Sequence, residues 1–545
     1  MKSENIPFLT EEKKKEYLLA VQPYSDLSFD FLWECIPSQM IPRTYAVTMP
    51  QTTGCLVCGN KVMEHGNYPY QIDSIHRPWK ITCPSCGYTF PTNNFEAYYK
   101  GGLDAKGFFD PNLAKAHNDA LIAAGEKGNL VNVLYPEKGE TWGVDDATGY
   151  IAEDGTKYNF IAYYCHFLWY MSQGSDGLIL HALVAFIHAY QATGDPAYAE
   201  KGIILLDRIA DVYPDMTLDI WTRAKGFLNS NGGGCDKGKI IGSIWETGLA
   251  SRFLEAFSVF AGPLEEGLLS QAVDYLKSKN PKKASKQAVR DNIMEGIVKQ
   301  IYPAVKDTQI YGNSGMHQHT LALAAVLWDQ MPETKEWLDF NFRTAEENRD
   351  TLDGGNILSV LTDRIDRDGH GQEASPGYNS IWLHCYLDVA DVLDGYQLDG
   401  MESHDLFRHA KFRKMFSSMY PLILSDIYTA RIGDTAACGN PHYAANTRTL
   451  VKAFLKFGDV RFAQAAYLIN GNTTKGMDLS GFSEAPDTIA ARMEAVIREH
   501  GQLELKGTNL TGYGFIALRD GKSGDMLTDR KNSTQRDLWM YHGRN

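Results

Sequence analysis

The fold class is decided by residues 176–213, which read D-G-L-I-L-H-A-L-V-A-F-I-H-A-Y-Q-A-T-G-D-P-A-Y-A-E-K-G-I-I-L-L-D-R-I-A-D-V-Y. Apolar residues recur every three or four positions on both sides of the break at Gly194-Asp195-Pro196. This spacing predicts two helices, over 176–193 and 196–213. Because the connection between them is very short, we expect the helices to pack antiparallel as a helical hairpin.

Further helix pairs follow along the chain. They are predicted over 244–260 with 263–277, 287–301 with 316–330, 333–349 with 382–393, and 407–419 with 447–456 and 462–468. No fixed repeat length relates these pairs, which argues against a solenoid. Successive hairpins favour a mainly α protein built as an (α/α) toroid, in which the loops at one end line a cleft.

The two ends of the chain have different patterns from the helical middle. We expect an N-terminal segment over 1–110 with a charged helix around 11–21, and the toroid over 111–500. Residues 501–545 contain short alternating runs between Gly-rich turns, which predict the start of an antiparallel β-sandwich. These few strands have no partner sheet to cover their inner face, so the sandwich is expected to be incomplete.

Four of the nine cysteines form two C-x-x-C-G knuckles separated by 24 residues: Cys55, Cys58, Cys83 and Cys86. Each knuckle brings two thiolates to one side of a tight turn, and two such turns complete a tetrahedral site, for which Zn²⁺ is the expected ion. Such a closed site pins a small ribbon of short strands and performs no chemistry. A redox C-x-x-C is the alternative, although redox motifs rarely occur in matched pairs. No organic cofactor is predicted.

Composition limits the function classes. The net charge of −14 argues against nucleic acid as a bulk partner, because binding phosphates needs a cationic surface. No run of 18 apolar residues predicts a membrane span, and the N-terminus lacks the apolar core of a signal peptide. We therefore expect a cytoplasmic protein, or a periplasmic or secreted one if a leader was removed. A homodimer is left open.

A polar loop, D-R-D-G-H-G-Q-E-A-S-P-G-Y over residues 366–378, interrupts the helical region. Its glycines and Pro376 are typical of a shaped loop rather than a slack one. Ordered loops on a rigid scaffold often carry function, so Tyr378 beside Glu373 is a candidate for chemistry. The alternative is a helix connection in which the tyrosine only packs.

Two more polar stretches lie in the helical region. The first, over residues 311–319, reads Y-G-N-S-G-M-H-Q-H and places Asn313 four residues before His317. If the helix that follows already includes both, they share one face near its positive end, which favours an anion. The second is Trp245-Glu246, which enters another helix and would either contact a sugar or fill the core.

Together, Tyr378, Asn313 and His317 suit β-elimination on a uronic acid. In this reaction the C5 proton leaves and the glycosidic oxygen at C4 departs. Amide and imidazole donors would neutralise the sugar carboxylate and make the C5 proton acidic. A tyrosine can take that proton and protonate the leaving oxygen, but its phenol is a poor base unless cations or hydrogen bonds stabilise the phenolate.

The loop motif D-G-H-G-Q-E-A-S-P-G-Y, with Y-G-N-S-G-M-H-Q before it, resembles the heparinase II/III-like polysaccharide lyases. Arg431-Ile-Gly-Asp434 and the segment 512–544 are similar to further parts of that family. The resemblance implies a toroid followed by a β-sandwich, an acidic polysaccharide as substrate, Tyr378 as the acid and base, and Asn313 with His317 neutralising the uronate. It also implies another histidine in an H-G-H-like segment, and the sequence ends before one.

Six residues are expected to contact the substrate: Trp245, Glu246, Tyr311, Gln318, Glu373 and Arg431. Two alternatives stay open. A glycoside hydrolase would need two carboxylates flanking the scissile bond, such as Glu246 with Glu373 or Asp368. A catalytically inactive glycan-binding protein would bind the polysaccharide without cleaving it.

Overall fold

The computed structural model describes the chain as two compact units. The described residues are 6–39, 54–55, 57–66, 69–131, 133–134, 136–138, 150–151, 157–158, 169, 178–217, 238–241, 244–344, 355–398, 404–435, 442–521 and 534–543. The first unit is mainly Glu12–Gly312, and the second combines Asn313–Asn545 with Ile6–Glu11. The described part is mainly helical, as predicted, whereas the toroid and the domain limits at residues 110 and 500 remain predictions. None of the described helices is long and apolar enough to cross a membrane.

The first unit contains most of the helices. They are α1 (Glu11–Ser25), α2 (Phe29–Glu34), α3 (Phe95–Gly101), α4 (Pro111–Ala123), α5 (Ile179–Thr193), α6 (Pro196–Val212), α7 (Glu246–Glu266), α8 (Ser270–Lys279), α9 (Lys286–Gly296) and α10 (Ile301–Lys306). The strands β1 (Gln71–Ile72), β2 (Ile81–Thr82) and β3 (Thr89–Phe90) form an antiparallel sheet in that order, and β4 (Tyr150–Ile151) pairs with β5 (Lys157–Tyr158).

Helices α5 and α6 form the hairpin predicted from residues 176–213. Helix α5 ends at Gly194, whose φ of +71° is the left-handed conformation that glycine adopts without a steric penalty. Asp195 then caps α6 by accepting a hydrogen bond from the Ala197 N–H at 3.0 Å, and Pro196 fills the first helical position. Both helices bury apolar side chains and pack against each other.

The helix break predicted between residues 260 and 263 is wrong. Helix α7 continues through the buried Pro263 to Glu266. A proline removes one N–H donor and crowds the preceding turn, but Pro263 lies in the last turn, so little helix follows it. The helix ends at Gly267, where φ is +80°.

The first unit also buries a cluster of charged groups between α6 and the segment before α9. The ammonium group of Lys283, 5% exposed, binds the carboxylates of Asp207 and Asp211, the latter at 2.7 Å. Asn292 donates to Asp207 Oδ1 at 2.9 Å. Burial raises the pKa of Asp207 to about 6, although the positive charge of Lys283 opposes the shift. The positive charge of Lys283 therefore favours the ionised form of the buried Asp207.

Replacing Lys283 with methionine is expected to destabilise the protein by about 3–5 kcal/mol, because the fully buried carboxylate of Asp207 would lose its cation. Chemical denaturation followed by circular dichroism measures the change. Lys282→Met is the matched control, since Lys282 belongs to the same short helical turn and is exposed. Equal stability of the two variants would contradict the importance of the buried ion pairs.

The second unit contains α11 (Met316–Trp328), α12 (Glu333–Phe342), α13 (Ile357–Ser359), α14 (Pro376–Leu393), α15 (Ala410–Phe416), α16 (Thr447–Phe457), α17 (Val460–Ile469) and α18 (Pro486–His500). Its strands are β6 (Ile423–Leu424), β7 (Tyr428–Thr429), β8 (Thr508–Leu510), β9 (Phe515–Asp520) and β10 (Arg536–Tyr541). Helix α18 was not predicted from the sequence. Its signals are a proline at the first helical position and the buried pair Ile489 and Met493, four residues apart.

The last strands form an antiparallel sheet in the order β10-β9-β8, in which Phe515 lies opposite both Tyr541 and Leu510. The expectation that nothing covers their inner face is wrong. Buried residues of this sheet pack against the hairpin of β6 and β7, and the resulting cluster contains Leu422, Leu424, Ala430, Ile432, Tyr513, Phe515 and Ala517. The sequence predicts no strand over residues 422–432, which contain the covering hairpin. Within the segment 501–545, residues 503–505 form no strand, since the described sheet begins at Thr508.

Candidate functional site

The loop over residues 366–378 is held in shape by two aspartates near its start. The Asp366 carboxylate accepts hydrogen bonds from the N–H groups of Asp368 at 2.7 Å and His370 at 3.1 Å. The Asp368 carboxylate accepts hydrogen bonds from Gly512 N–H at 2.6 Å and Tyr513 N–H at 3.2 Å. These contacts fix the loop to the turn before β9, consistent with the ordered loop that its composition predicts.

A buried aromatic pair supports the middle of this loop. The imidazole of His370 stacks on the ring of Tyr513, with centroids 3.9 Å apart and planes inclined by 13°. Both side chains are fully buried. The Tyr513 hydroxyl donates a hydrogen bond to the Ala374 carbonyl, one residue before Ser375. Tyr513 therefore positions the loop directly upstream of Tyr378.

Tyr378 lies in the first turn of helix α14, so the expectation that it ends the loop is wrong. Ser375 is the N-cap residue and accepts a hydrogen bond from the Tyr378 N–H at 3.4 Å, while Pro376 fills the first helical position. Serine followed by proline is a strong helix start. The ring of Tyr378 is thus set on a rigid element and is half-buried.

The Tyr378 hydroxyl donates a hydrogen bond to Asp434 Oδ2 at 3.2 Å. Asp434 is exposed, and its carbonyl accepts a hydrogen bond from the Ser375 hydroxyl at 2.9 Å. Burial raises the pKa of Tyr378, and the negative charges of Asp434 and Glu373 raise it further. Tyr378 is therefore a neutral phenol at neutral pH, with a carboxylate placed to accept its proton.

Asp434 was not among the site residues predicted from the sequence, although it ends the Arg431-Ile-Gly-Asp434 motif. It lies 56 residues beyond Tyr378, and only the folded chain brings the two together. Arg431 and Glu373, which were predicted to contact substrate, are half-buried. The structure therefore brings Tyr378, Glu373 and Asp434 into one electrostatic group.

The stretch over residues 311–319 is less helical than its spacing predicts. Helix α11 begins at Met316, so Asn313 precedes the helix and does not share a helical face with His317. Gly315 is the cap, with φ of +97°, and a Cβ atom there would lie 2.5 Å from the Cys385 Cβ. Close approach to α14 requires glycine at this position, and the helix begins only after it.

The four candidate residues of this stretch differ in exposure. Tyr311 and Asn313 are half-buried, whereas His317 and Gln318 are each 1% exposed. The Gln318 amide accepts a hydrogen bond from Gly315 N–H at 2.8 Å and donates one to the Gly355 carbonyl at 2.9 Å. Gln318 thus holds two backbone segments together.

Helices α11 and α14 pack side by side and run in the same direction. Ser314 and Tyr386 hydroxyls are 2.8 Å apart before α11 begins, and Tyr396 binds Asp329 at 2.7 Å beyond its end. Tyr386 lies eight residues after Tyr378, which corresponds to about 12 Å along the helix axis. The turn with Asn313 therefore lies beside the same helix that carries Tyr378, about two turns further along.

Trp245 and Glu246 belong to the first unit, at the start of α7. Glu246 is fully buried, and its Oε1 atom accepts hydrogen bonds from the backbone N–H groups of Lys239, Ile240 and Ile241. A carboxylate bound by three amides organises the chain around it. Glu246 thus has a structural role in this unit, whereas Trp245 is half-buried.

The four motif cysteines converge beside the sheet of β1, β2 and β3. Their sulfur atoms all lie within 4.8 Å of one another, with Cys55 Sγ 3.9 Å from Cys86 Sγ and Cys58 Sγ 3.7 Å from Cys83 Sγ. A tetrahedral zinc site with Zn–S bonds of about 2.3 Å requires sulfur separations of about 3.8 Å. The four thiolates are thus compatible with a structural metal ion.

No protein-family model matches the chain, and no curated protein matches it. Among solved structures, matches include heparan sulfate lyase HepC from Pedobacter heparinus and a mutant of that enzyme. Each covers 79% of this chain at 14% identity with a TM-score of 0.33, and the chain spans 58% of the length of each. At this level, the similarity establishes neither the family nor the activity of the chain.

Proposed function

We propose that the protein is a polysaccharide lyase that cleaves a uronic-acid-containing glycan by β-elimination. The observation that carries the proposal is the hydrogen bond from the Tyr378 hydroxyl to Asp434 on an exposed surface of the second unit. The phenol of Tyr378 lies on the first turn of a helix, and the Asp434 carboxylate is within hydrogen-bond distance to accept its proton. Acid and base catalysis requires such a positioned group within reach of substrate.

In the proposed reaction, Tyr378 passes its hydroxyl proton to Asp434 and takes the C5 proton of the uronate. The C5–H electron pair forms the C4–C5 double bond, and the C4–O bond breaks. Tyr378 then protonates the departing oxygen and recovers its own proton from Asp434. The raised pKa of Tyr378 makes the first transfer unfavourable in the resting protein. Positive charge near the bound substrate would have to offset that cost.

Asn313 and Arg431 are the half-buried groups that we assign to the uronate carboxylate. Both can donate hydrogen bonds, and arginine binds carboxylates in a bidentate geometry. His317 is buried on the first turn of α11, so we assign it to supporting the Asn313 turn from inside the unit. Glu373 adds negative charge near Tyr378 and is proposed to border the substrate.

The glycoside hydrolase alternative is less well supported. Its proposed carboxylates include Glu246, which is fully buried under three backbone amides, and Asp368, which binds two backbone N–H groups. Hydrolysis needs one carboxyl group free to act as an acid and another as a base or nucleophile. Of the three carboxylates predicted for a hydrolase, only Glu373 is then left, and one carboxyl group cannot fill both roles.

Uronate glycans of the heparan, chondroitin, alginate and ulvan types provide the test. A lyase generates a C4–C5 double bond, so we expect ultraviolet absorbance to rise with time on at least one of them. Reducing ends that appear without this absorbance would indicate hydrolysis. Binding without either signal would indicate a glycan-binding protein.

We propose Zn²⁺ as the ion held by Cys55, Cys58, Cys83 and Cys86. Four thiolates leave no coordination position for water or substrate, and soft ligands in a tetrahedral set select zinc. The ion would stabilise the small sheet and take no part in the elimination. The proposed substrate is an acidic polysaccharide.

Replacing Asp434 with asparagine is expected to lower the pKa of Tyr378, because the carboxylate's negative charge opposes phenolate formation. Burial of the ring remains, so part of the shift should persist. The phenolate absorbance of Tyr378 can be isolated by subtracting a Tyr378→Phe titration in each background. Asp329→Asn, which removes the partner of Tyr396, is the matched control. An unchanged or higher Tyr378 midpoint would contradict the proposed coupling.

A further inference from the structure

A pocket of about 340 Å³ lies in the first unit beside α3 and α4. Its lining includes Lys80, Thr92, Asn93, Asn94, Lys127 and Asn129. The two walls are tied together, because Asn94 N–H donates to the Asn129 carbonyl at 2.9 Å. The Asn118 side chain in turn accepts a hydrogen bond from Asn129 N–H at 2.7 Å. The pocket is therefore built into the fold rather than left between loose loops.

The charged residues among those that line this pocket are both lysines. Lys80 is half-buried, and its ammonium group is held by the carbonyls of Pro91 at 2.6 Å and Asn93 at 2.7 Å. Lys127 is exposed at the opposite wall. The protein has a net charge of −14, whereas this pocket is lined by two cations and no carboxylate, so its local charge is positive. Its potential favours an anion.

A buried donor points to the same ligand. The Asn129 side-chain nitrogen has no hydrogen-bond partner within the described part of the chain, and the residue is only 8% exposed. A buried amide N–H₂ group needs an acceptor, since leaving it unmet is costly. An oxygen atom of a bound anion would supply that acceptor.

We propose that this pocket binds a compact oxyanion, namely a sulfate, phosphate or carboxylate group, either free or carried by one sugar. The volume falls at the lower end of the range for small-molecule sites and accommodates one monosaccharide. Lys127 contacts the anion directly, Lys80 contributes its charge from a fixed position, and the Asn129 side chain turns its unpaired nitrogen toward the anion on binding. This assignment is independent of Tyr378 and of any lyase activity.

Isothermal titration of the full chain with sodium sulfate, sodium phosphate and sodium glucuronate tests the proposal, with sodium chloride added to keep ionic strength constant. We expect saturable binding of at least one of the three, and the tightest identifies the source of the anion. Sulfate or phosphate binding more tightly than glucuronate indicates a free inorganic ion. The reverse order indicates an anionic sugar.

Lys127→Glu should weaken that binding at least tenfold, because it replaces a cation of the pocket with an anion. Asn129→Asp should do the same, and circular dichroism checks that each variant remains folded. Lys282→Glu, at an exposed lysine far along the chain from the pocket residues, is the control for overall charge and should bind as the wild type does. Absence of saturable binding by the wild type, or unchanged binding by Lys127→Glu, would overturn the proposal.

Discussion

Replacing Tyr378 with phenylalanine is expected to lower kcat for elimination by about 10²–10⁴-fold, the usual contribution of a positioned acid–base group. The substitution removes one hydroxyl and keeps the ring, so the N-cap bond of Ser375 and the start of α14 should survive. The rate of double-bond formation measures the effect. Circular dichroism should show an unchanged helical signal.

Tyr396→Phe is the matched control for this substitution. Tyr396 also donates its hydroxyl to an aspartate, Asp329 at 2.7 Å, but it lies after the end of α14 rather than at its start. Its loss should leave kcat within about twofold of the wild type, since surface substitutions have small effects. Full activity of Tyr378→Phe, combined with loss of activity in Glu373→Gln, would sink the lyase proposal and favour a hydrolase.

Removing the metal should have the largest effect on the stability of the cysteine-rich segment. Structural zinc contributes an apparent free energy of about 10–16 kcal/mol in small zinc-dependent folds. The sheet of β1, β2 and β3 has strands of only two residues each, so few backbone hydrogen bonds hold it. Chelation, or the substitution Cys83→Ser, is expected to unfold this sheet and expose the segment to proteases.

Elemental analysis of the purified protein should find one zinc ion per chain, and Cys83→Ser should lose it. Cys35→Ser is the matched control, because Cys35 is also in the first unit but donates its thiol to the Leu32 carbonyl at 3.2 Å. A serine hydroxyl can make the same bond. Protease resistance of Cys83→Ser equal to that of Cys35→Ser would contradict a structural metal.

The helices whose ends carry capping residues were predictable from the sequence. Gly194, Asp195 and Pro196 define the α5–α6 junction through local chemistry alone, and the predicted limits agree with the structure to within a few residues. The same local signals at Ser375 and Pro376 mark the start of α14, so the prediction of a loop through residue 378 misplaced Tyr378 by one structural element. At Pro263 the prediction is wrong in the other direction. The proline predicts the end of a helix, whereas α7 continues through it to Glu266.

The candidate site was only partly predictable. Glycine-rich composition identified the loop over 366–378, but Asp434 approaches Tyr378 across 56 residues, and no periodicity encodes such a contact. Glu246 illustrates the reverse difficulty. In the sequence, a glutamate beside a tryptophan predicts a contact with a sugar. In the structure, Glu246 is instead buried beneath three backbone amides, and this depends on how residues 239–241 fold around it.

Because His370 stacks on Tyr513, the loop over residues 366–378 depends on a part of the chain that is synthesised much later. Asp368 and Ala374 bind residues that lie 139–145 positions later in the chain, so the ribosome completes helices α14 to α18 before those partners exist. Contacts of such long sequence separation form late in folding. The segment that carries Tyr378 therefore acquires its final geometry only after translation has passed residue 513, and a nascent chain halted earlier holds an unfinished site.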